Sequence, residues 1–358
     1  MIPAARPILG EDERAAVDAV IASGGLAQGP QVAAFEDEFG ALVERSRCVA
    51  VNSGTSALHM ALLALGIGPG DEVIVPSFTF AATANAVALA GATPVFADID
   101  LHTFCLDPDA AEAAVTRRTR AVMPVHLYGQ PADMDRISDL ARRKGLLVLE
   151  DAAQAHAARW RDRPVGALGD AAAFSFYPTK NMTSGEGGMV TTPSADVART
   201  VQLLRNQGME KRYHNEIVGF NTRMSDIHAA IGRVQLRKLP RWTEQRQQNA
   251  QFLTENLRGV ITPHVDHRAE HVYHQYTIRV AANERDAFVG RLAERGVGTG
   301  VYYPVPVHHL PSFGLDLDLP ATRRAASEVI SLPVHPALHL QDLESIVIAV
   351  NTIAEAGA

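Results

Sequence analysis

Lys180 and Asp151 are the two residues whose types and surroundings could do chemistry together. Lys180 follows an aromatic and small-residue run at 174–179 and precedes the glycine-rich residues 185–188. Asp151 comes just after an apolar run at 146–149. A lysine amine can form a Schiff base with the aldehyde of pyridoxal phosphate (PLP), and a carboxylate can keep the pyridine nitrogen of that cofactor protonated. The pair therefore suggests a PLP site.

Each of these residues also has an ordinary structural alternative. Lys180 could be a solvated loop lysine, and Asp151 could cap a short helix over residues 152–158. The glycines within residues 185–188 favour a ligand near Lys180, because glycine lets the backbone approach a ligand closely. A lysine that attacks a carbonyl also needs a lowered pKa, which burial supplies. Ser175, at the end of an apolar run, could donate its hydroxyl to a phosphate.

A second candidate site is the turn at residues 52–56, which reads Asn-Ser-Gly-Thr-Ser and precedes a helical apolar pattern at 57–65. The free N–H groups and the positive dipole at a helix start bind anions. Simple helix capping by Ser53 or Thr55 is the alternative. Beside a suitable lysine and acid, the turn is better interpreted as a phosphate site.

Aromatic and polar residues near these runs could complete a pocket. Phe80 follows an apolar run and could stack on a flat ring, although a core position is the alternative. Gln154 and His156 lie close to Asp151 in sequence and could line the same pocket. For His156 the alternative is a buried histidine whose hydrogen bonds are satisfied within the core.

The 14 histidines also raise the question of a metal site. His308 and His309 are adjacent, and His271 and His274 are three residues apart on a segment predicted to be extended. Neither pair has the helical spacing or the third ligand of a zinc motif. We therefore expect no metal.

Composition narrows the class of protein. The chain has 358 residues, 47% of them hydrophobic, which is enough for a sizeable core and two domains. The net charge is −7 and no block of like charge stands out, so we expect no nucleic-acid partner. Two cysteines make neither a disulfide framework nor a zinc motif, which fits a reducing cytoplasm. No apolar run is long enough to span a bilayer, so we expect a cytoplasmic protein without membrane association.

From residue 48 to about residue 200, short apolar runs alternate with helical patterns. The strand candidates are residues 47–51, 72–76, 93–97, 121–125, 146–149, 172–176 and 188–191. This alternation is typical of an α/β fold with a mostly parallel sheet covered by helices on both faces. Ligands of such sheets bind at the carboxyl ends of the strands.

The alternation of short strands and helices gives way to a different pattern after residue 239. Ser225 is a candidate N-cap of an amphipathic helix that Pro240 is expected to stop. The next predicted elements are a helix over 242–257, an extended segment over 272–281, a helix over 284–295 and a strand over 298–303. We expect a large domain at residues 1–240, with its N-terminal segment near a smaller α+β domain at residues 241–358.

Five blocks of sequence together resemble the DegT/StrS nucleotide-sugar aminotransferases, which are PLP-dependent enzymes with the aspartate aminotransferase fold. The blocks are residues 53–58, 150–156, 174–188, 219–226 and 303–308. The resemblance extends over nearly the whole chain. It implies a large PLP-binding domain with a mostly parallel seven-stranded sheet and a smaller α+β C-terminal domain.

The resemblance implies roles for residues that match the family's cofactor site. Lys180 matches the lysine that binds the cofactor aldehyde and then acts in catalysis. Asp151 matches the acid that pairs with the pyridinium nitrogen, and Gln154 a residue near the phenolic oxygen. Phe80 matches the aromatic residue that stacks on the ring.

The resemblance also implies a phosphate site and a dimer. Gly54, Thr55 and Ser56 match the phosphate-binding turn, and Ser175 matches a further phosphate ligand. Asn221 matches an asparagine that reaches the phosphate from the neighbouring subunit. The implied assembly is a homodimer with a shared active site.

On the substrate side, the resemblance implies contacts from His156, Glu186, Tyr303 and His308. The implied reaction moves an amino group from an amino acid, L-glutamate, to a keto-sugar linked to a nucleoside diphosphate. Relatives that are dehydratases replace the lysine with histidine, so Lys180 favours transamination. Two alternatives remain: a cyclitol ketone or aminobenzoate precursor as acceptor, and a non-catalytic regulatory protein that keeps the fold.

Overall fold

The computed structural model describes residues 1–45 and 47–357. The strands among these residues are β1 (Arg47–Val51), β2 (Glu72–Pro76), β3 (Thr93–Ala97), β4 (Thr119–Val122), β5 (Leu147–Asp151), β6 (Arg159–Trp160), β7 (Arg163–Pro164), β8 (Ala171–Ser175), β9 (Gly188–Thr192), β10 (Met209–Lys211), β11 (His214–Asn215), β12 (Ala269–Glu270), β13 (Tyr276–Arg279) and β14 (Val329–Leu332). The helices are α1 (Glu11–Ser23), α2 (Pro30–Leu42), α3 (Gly54–Ala64), α4 (Ala82–Leu89), α5 (Pro108–Ala113), α6 (Met134–Lys144), α7 (Ala195–Arg205), α8 (Asp226–Asn256), α9 (Arg285–Glu294), α10 (Pro320–Glu328) and α11 (Leu340–Gly357), with 3₁₀ turns at Leu127–Gly129 and Val307–His309.

The predicted α/β fold with a mostly parallel seven-stranded sheet is confirmed. The strand order is β1-β9-β8-β5-β4-β2-β3, and β9 is the one strand that runs antiparallel to its neighbours. All seven strand candidates form strands of this sheet, although β4 begins two residues earlier than predicted. Parallel neighbours place the ends of β2, β4, β5 and β8 at one edge of the sheet.

Alternate residues of these strands pack into different cores, as the pleat of a strand requires. Val73 and Val75 of β2 face a core that contains α3 and α4. Ile74, between them, faces a second core that contains α6. Because both faces are covered by helices, Val73, Ile74 and Val75 form a continuous apolar run rather than alternating with polar residues.

The prediction that Pro240 stops a helix is wrong. α8 begins after Ser225, whose side chain caps it as predicted, and continues for 31 residues with Pro240 inside it. Proline removes one helical hydrogen bond and costs about 3 kcal/mol in a helix interior. Burial on both sides of the proline outweighs that cost, since Leu239 packs in a core with α2 and Leu253 packs in a separate core.

Residues from the end of α8 to α11 form a smaller α+β unit. β13 and β14 pair antiparallel, and their buried side chains pack with the end of α8, with α9 and with α11. The helix predicted over residues 284–295 forms as α9. The predicted strand at 298–303 is reduced to one bridge, in which Gly300 and Ser331 exchange two backbone hydrogen bonds. Tyr302 and Tyr303, which follow that bridge in the chain, are not part of a strand and line a cavity.

The N-terminal residues contact this smaller unit. The Ile2 N–H donates to the carbonyl of Gly296 at 2.7 Å, and the Gly298 N–H donates to the carbonyl of Ile2 at 2.8 Å. α1 then packs on α8.

Within residues 1–45 and 47–357, no helix combines the length and the apolarity needed to cross a membrane. The same part of the chain contains no group of three histidine, cysteine, aspartate or glutamate side chains placed to hold a metal ion. Cys48 and Cys105 are free and buried.

Candidate active site

A cavity of about 490 Å³ lies where the strands of the central sheet end. Residues that follow β1, β2, β5 and β8 form one side of it, and residues 274–275 and 302–303 form another. Its volume is within the usual range for small-molecule sites. The predicted site residues that line it are Gly54, Thr55, Phe80, Asp151, Gln154, Ser175, Lys180, Glu186 and Tyr303.

Lys180 lines this cavity and is partly buried. Its backbone N–H donates to the carbonyl of Tyr177 at 2.9 Å, which fixes the turn after β8 that carries the lysine. Burial lowers the pKa of the Lys180 amine to about 8, and the nearby Asp151 carboxylate opposes that shift. A useful fraction of neutral amine is therefore present near neutral pH, as nucleophilic attack on an aldehyde requires.

Asp151 is the buried last residue of β5, and its carboxylate is held by two donors. The Thr83 hydroxyl donates to Oδ2 at 2.8 Å, and the Ala153 N–H donates to Oδ1 at 3.2 Å. Burial raises the pKa of Asp151, while the bond from Thr83 opposes that rise. A buried carboxylate in this state is stabilised by a cation in the cavity, such as a protonated ring nitrogen.

The start of α3 and the end of β8 form an anion cradle. Ser53 caps the helix, since its Oγ accepts from the Ser56 N–H at 3.1 Å. Gly54 and Thr55 are the first two residues of α3, so their N–H groups have no intrahelical acceptor. A Cβ on Gly54 would lie 2.7 Å from the Ser175 Cβ, so only glycine permits this approach of helix and strand. The cradle offers N–H groups and the hydroxyls of Thr55 and Ser175 to one anion.

Ser56 does not line the cavity. The Ser53 hydroxyl donates to the Ser56 hydroxyl at 3.0 Å, so Ser56 supports the residue that caps the helix.

Gln154 is fixed between the backbone and a tyrosine. Its Oε1 accepts from the Tyr128 N–H at 2.7 Å, so its amide nitrogen faces Tyr303 and donates to the phenol oxygen at 3.1 Å. The Tyr303 oxygen accepts this bond, which leaves its own O–H free to donate to a ligand. Burial raises the pKa of Tyr303 well above its ordinary value, so that proton is retained. The Phe80 ring lies 6.0 Å from the Tyr303 ring and lines the same cavity.

Two predicted substrate residues do not reach the cavity. His156 is fully buried between the rings of Phe174 and Phe176, at 5.5 and 5.6 Å. Burial lowers the pKa of His156 to about 3, so it is a neutral core residue. His308 is also fully buried, and its Nδ1 lies 2.5 Å from the Ser77 hydroxyl. Their positions do not support the substrate contacts that the sequence predicted.

Asn221 is exposed and lies apart from the cavity of its own chain. Its Oδ1 accepts from Arg223 at 3.0 Å, and it borders a surface pocket formed with residues 215–219. A contact between Asn221 and the cofactor phosphate therefore requires a second chain.

The sequence does not single out several residues that line or support the cavity. Thr79 and Thr83 carry a weak signal, since both belong to the segment around Phe80. The sequence presents His274 only as a possible metal ligand, and no motif points to Gln275. All four become evident only when the ends of separate elements meet.

Three curated proteins are similar to this chain in sequence over most of its length. The pleiotropic regulatory protein of Geobacillus stearothermophilus is 43% identical over 341 residues, which is 92% of this chain and 91% of that protein. The dTDP-3-amino-3,4,6-trideoxy-alpha-D-glucose transaminase of Streptomyces venezuelae is 43% identical over 357 residues, 96% of this chain and 94% of that protein. The GDP-perosamine synthase of Caulobacter vibrioides is 42% identical over 330 residues, 89% of each chain.

Solved structures share the fold closely. DesV from S. venezuelae, in complex with a ketimine intermediate, has a TM-score of 0.94 and 42% identity, with 96% of this chain and 95% of that chain covered. NtdA from Bacillus subtilis, with bound cofactor PMP, has a TM-score of 0.90 and 31% identity, with 96% and 82% covered. PMP is the amine form of PLP.

The cavity fits this cofactor by its own geometry. The anion cradle suits the phosphate, the buried Asp151 suits a cationic ring nitrogen, and Lys180 has an amine of lowered pKa within the same cavity. The DegT/DnrJ/EryC1/StrS aminotransferase family model matches residues 7–351. The chain belongs to the DegT/DnrJ/EryC1/StrS aminotransferase family and is a PLP-dependent aminotransferase.

Proposed function

We propose that this enzyme transfers the amino group of L-glutamate to a keto-sugar linked to a nucleoside diphosphate. The product is an amino sugar for glycan, lipopolysaccharide or secondary-metabolite synthesis. The observation that carries the proposal is the meeting of Lys180, Asp151 and the anion cradle in one cavity. Two of the relatives described above are named for nucleotide-linked amino sugars, which supports the acceptor class.

Each of the following residues of the cavity has a separate role in catalysis. When bound, PLP supplies an electron sink for the charge that develops at the substrate carbon. Lys180 provides the aldehyde-binding amine and then moves a proton at the substrate carbon as general base and acid. Asp151 keeps a proton on the ring nitrogen, and its bond from Thr83 fixes the carboxylate. Phe80 supplies a flat surface for the ring.

Other residues hold the ligand in place. Gly54, Thr55 and Ser175 would hold the phosphate of the cofactor, with Ser56 supporting the helix cap. Gln154 would contribute a polar contact to the phenolic oxygen of the cofactor. Donor and acceptor use the same cavity in turn, so we expect ping-pong kinetics.

On the substrate side, we propose contacts from Tyr303 and Glu186, which line the cavity. The Tyr303 O–H is free to donate because Gln154 already occupies the phenol oxygen as a donor. Because His156 and His308 are fully buried, we propose that they have a structural role and do not contact the substrate.

We also propose a homodimer with a shared active site. Asn221 would reach the phosphate of the neighbouring subunit. The segment before it exposes apolar side chains, with Tyr213 82% and Val218 92% exposed. Exposed apolar groups of this kind mark interaction surfaces, and a second copy of the chain would cover them.

Two smaller proposals concern organisation. We propose a PLP-binding domain at residues 1–240 and a small domain at 241–358, supported by the separate core that the end of α8 shares with α9 and α11. We propose a cytoplasmic location, which the free, buried thiols of Cys48 and Cys105 support.

A second candidate function is regulatory, since the Geobacillus relative is named as a regulatory protein. Lys180 and Asp151, in a cavity with an intact anion cradle, favour turnover over a purely regulatory role. A cyclitol ketone or an aminobenzoate precursor remains the alternative acceptor.

The absorbance spectrum of the purified protein, before and after L-glutamate is added, tests the proposal. We expect a Schiff-base band that glutamate converts to the band of the pyridoxamine form. Keto-sugars linked to nucleotides should then restore the first band. A protein that shows no band after incubation with PLP would refute the catalytic proposal. A band that ignores glutamate but responds to another amino acid would refute only the donor.

A further inference from the structure

Two consecutive residues at the entrance to β13, His274 and Gln275, line the same cavity as Lys180. Both are buried, with 5% and 8% of their surface exposed. The backbone around them is fixed: the Gln275 N–H donates to the carbonyl of Tyr128 at 3.2 Å, and the Val272 N–H donates to the carbonyl of Gly129 at 3.0 Å. The two side chains are therefore held at one place on the cavity wall.

The hydrogen bonds around His274 define which nitrogen carries its proton. The Asn181 amide nitrogen donates to the carbonyl of Val272 at 3.0 Å, and a carbonyl can only accept, so the Asn181 Oδ1 faces His274. The His274 Nδ1, at 3.3 Å from that oxygen, must be the donor. The Nε2 of His274 then carries a lone pair. Burial, with Lys180 nearby, lowers the pKa of His274 well below its ordinary value, so the ring stays neutral and Nε2 remains an acceptor.

The side-chain amide of Gln275 is available to a ligand. Among residues 1–45 and 47–357, no group forms a hydrogen bond with this amide, although the residue is more than nine-tenths buried. Neither amide atom of Gln275 is among the buried polar atoms without a partner, so both reach the open space of the cavity, where a ligand can bond them. Because Gln275 lines the cavity, its partner is expected there.

We propose that His274 and Gln275 recognise a hydroxyl group on the carbon next to the reacting ketone of the acceptor sugar. A hydroxyl both donates and accepts, so its proton suits the lone pair of His274 Nε2 and its oxygen suits the N–H of Gln275. A carboxylate only accepts and would face the lone pair of His274, so the glutamate carboxylates fit this pair less well. The inference rests on the proposed function, because it presupposes a sugar acceptor.

The location of the pair supports a position close to the reacting carbon. Lys180 must reach that carbon to move a proton, and His274 is within electrostatic reach of the Lys180 amine. His274 is also tied to Asn181, the neighbour of Lys180 in the chain. A ligand group that contacts the pair therefore lies in the same cavity as the carbon on which Lys180 acts.

The test compares two acceptors in two forms of the holoenzyme. The acceptors are dTDP-4-keto-6-deoxy-D-glucose, which carries a hydroxyl on C3, and dTDP-4-keto-3,6-dideoxy-D-glucose, which lacks it. The variant is Gln275→Met, which keeps the length of the side chain and removes the amide. Gln202→Met, at an exposed position of α7, is the matched control. The rate of the first half-reaction with L-glutamate is followed separately by absorbance.

We expect Gln275→Met to lower kcat/KM for the hydroxylated sugar by about 10- to 100-fold, the range for losing a hydrogen bond that a site is built to make. The value for the 3-deoxy sugar and the glutamate half-reaction should change less than about threefold, and the control should match wild type. An equal loss for both sugars, or a loss confined to glutamate, would overturn the inference. If wild type reacts with glutamate but aminates neither these sugars nor GDP- and UDP-linked keto-sugars, the proposed acceptor class fails and the inference fails with it.

Discussion

The Thr83 hydroxyl donates a hydrogen bond of 2.8 Å to Oδ2 of Asp151, across the gap between α4 and β5. Because that proton is committed to the carboxylate, the 3.1 Å contact between Thr79 and Thr83 must have Thr79 as its donor. The result is a directed chain of two hydroxyls that ends on a buried acid. The chain favours the ionised form of Asp151 against the effect of burial.

Replacing Thr83 with valine should therefore weaken the cofactor site. Valine keeps the shape but removes the donor, and a hydrogen bond to a charged group contributes about 1.5–3 kcal/mol. We expect the Kd for PLP and the rate of the glutamate half-reaction each to worsen by about tenfold or more. Titration of the apoenzyme with PLP and stopped-flow absorbance measure the two effects. Thr200→Val on α7, whose hydroxyl donates to the helical carbonyl of Asp196, is the control. Unchanged PLP affinity in Thr83→Val would contradict this role.

Replacing Gly54 with alanine should damage the anion cradle selectively. The new Cβ would lie 2.7 Å from the Ser175 Cβ, which forces the start of α3 away from the end of β8. We expect PLP to bind at least about tenfold more weakly, as for the loss of a charge-assisted contact. Pyridoxal, which lacks the phosphate, should bind as it does to wild type. The control is Gly290→Ala, because a Cβ there has open space. Equal losses for PLP and pyridoxal would argue against a phosphate site at this turn.

The capture of PLP by the apoenzyme should depend on pH with a midpoint near 8. Only the neutral amine attacks the aldehyde, and burial lowers the pKa of Lys180 to about 8, so the neutral fraction rises as the pH rises through that value. The nearby Asp151 carboxylate raises the lysine pKa, so Asp151→Asn should move the midpoint to lower pH. Rates of band formation between pH 6 and 10 would show both. A midpoint near 10 in wild type would mean that Lys180 is not in the buried state described here.

Complementation between two inactive variants should test the shared site. Lys180→Ala loses the amine, and Asn221→Asp places a negative charge where the phosphate of the partner would bind. Each homodimer should be nearly inactive. A heterodimer of the two, isolated with two different affinity tags, has one site with both defects and one with neither. We expect it to show about half of the wild-type turnover, as a symmetric two-site dimer requires. Heterodimers as inactive as their parents would refute a site completed by Asn221.

Much of the fold and the centre of the site could be predicted because they depend on local patterns. Apolar runs located all seven strands of the sheet, and Asp151 and Lys180 followed two of those runs within a few residues. Pro240 misled because tertiary burial outweighed a local helix-breaking signal. His156 and His308 misled because proximity in sequence to a site does not determine which way a side chain points.

The residues that the sequence could not indicate are those whose roles depend on contacts between distant segments. Gln275 is polar and unremarkable in sequence, and only the folded chain places its amide in the cavity. Thr83 acquires its role from Asp151, 68 residues away. Such pairings arise from the packing of elements and have no local pattern.

The continuous helix α8 also bears on how the protein loses its structure. Its first half contributes Leu239 to the core that contains α2. Its second half contributes Leu253 to the core of the smaller unit, which also contains Tyr276. Neither core can come apart without exposing one end of the same rod, which spans about 46 Å. Heat or denaturant should therefore melt both units in a single cooperative transition, and the cofactor should be released in that same step.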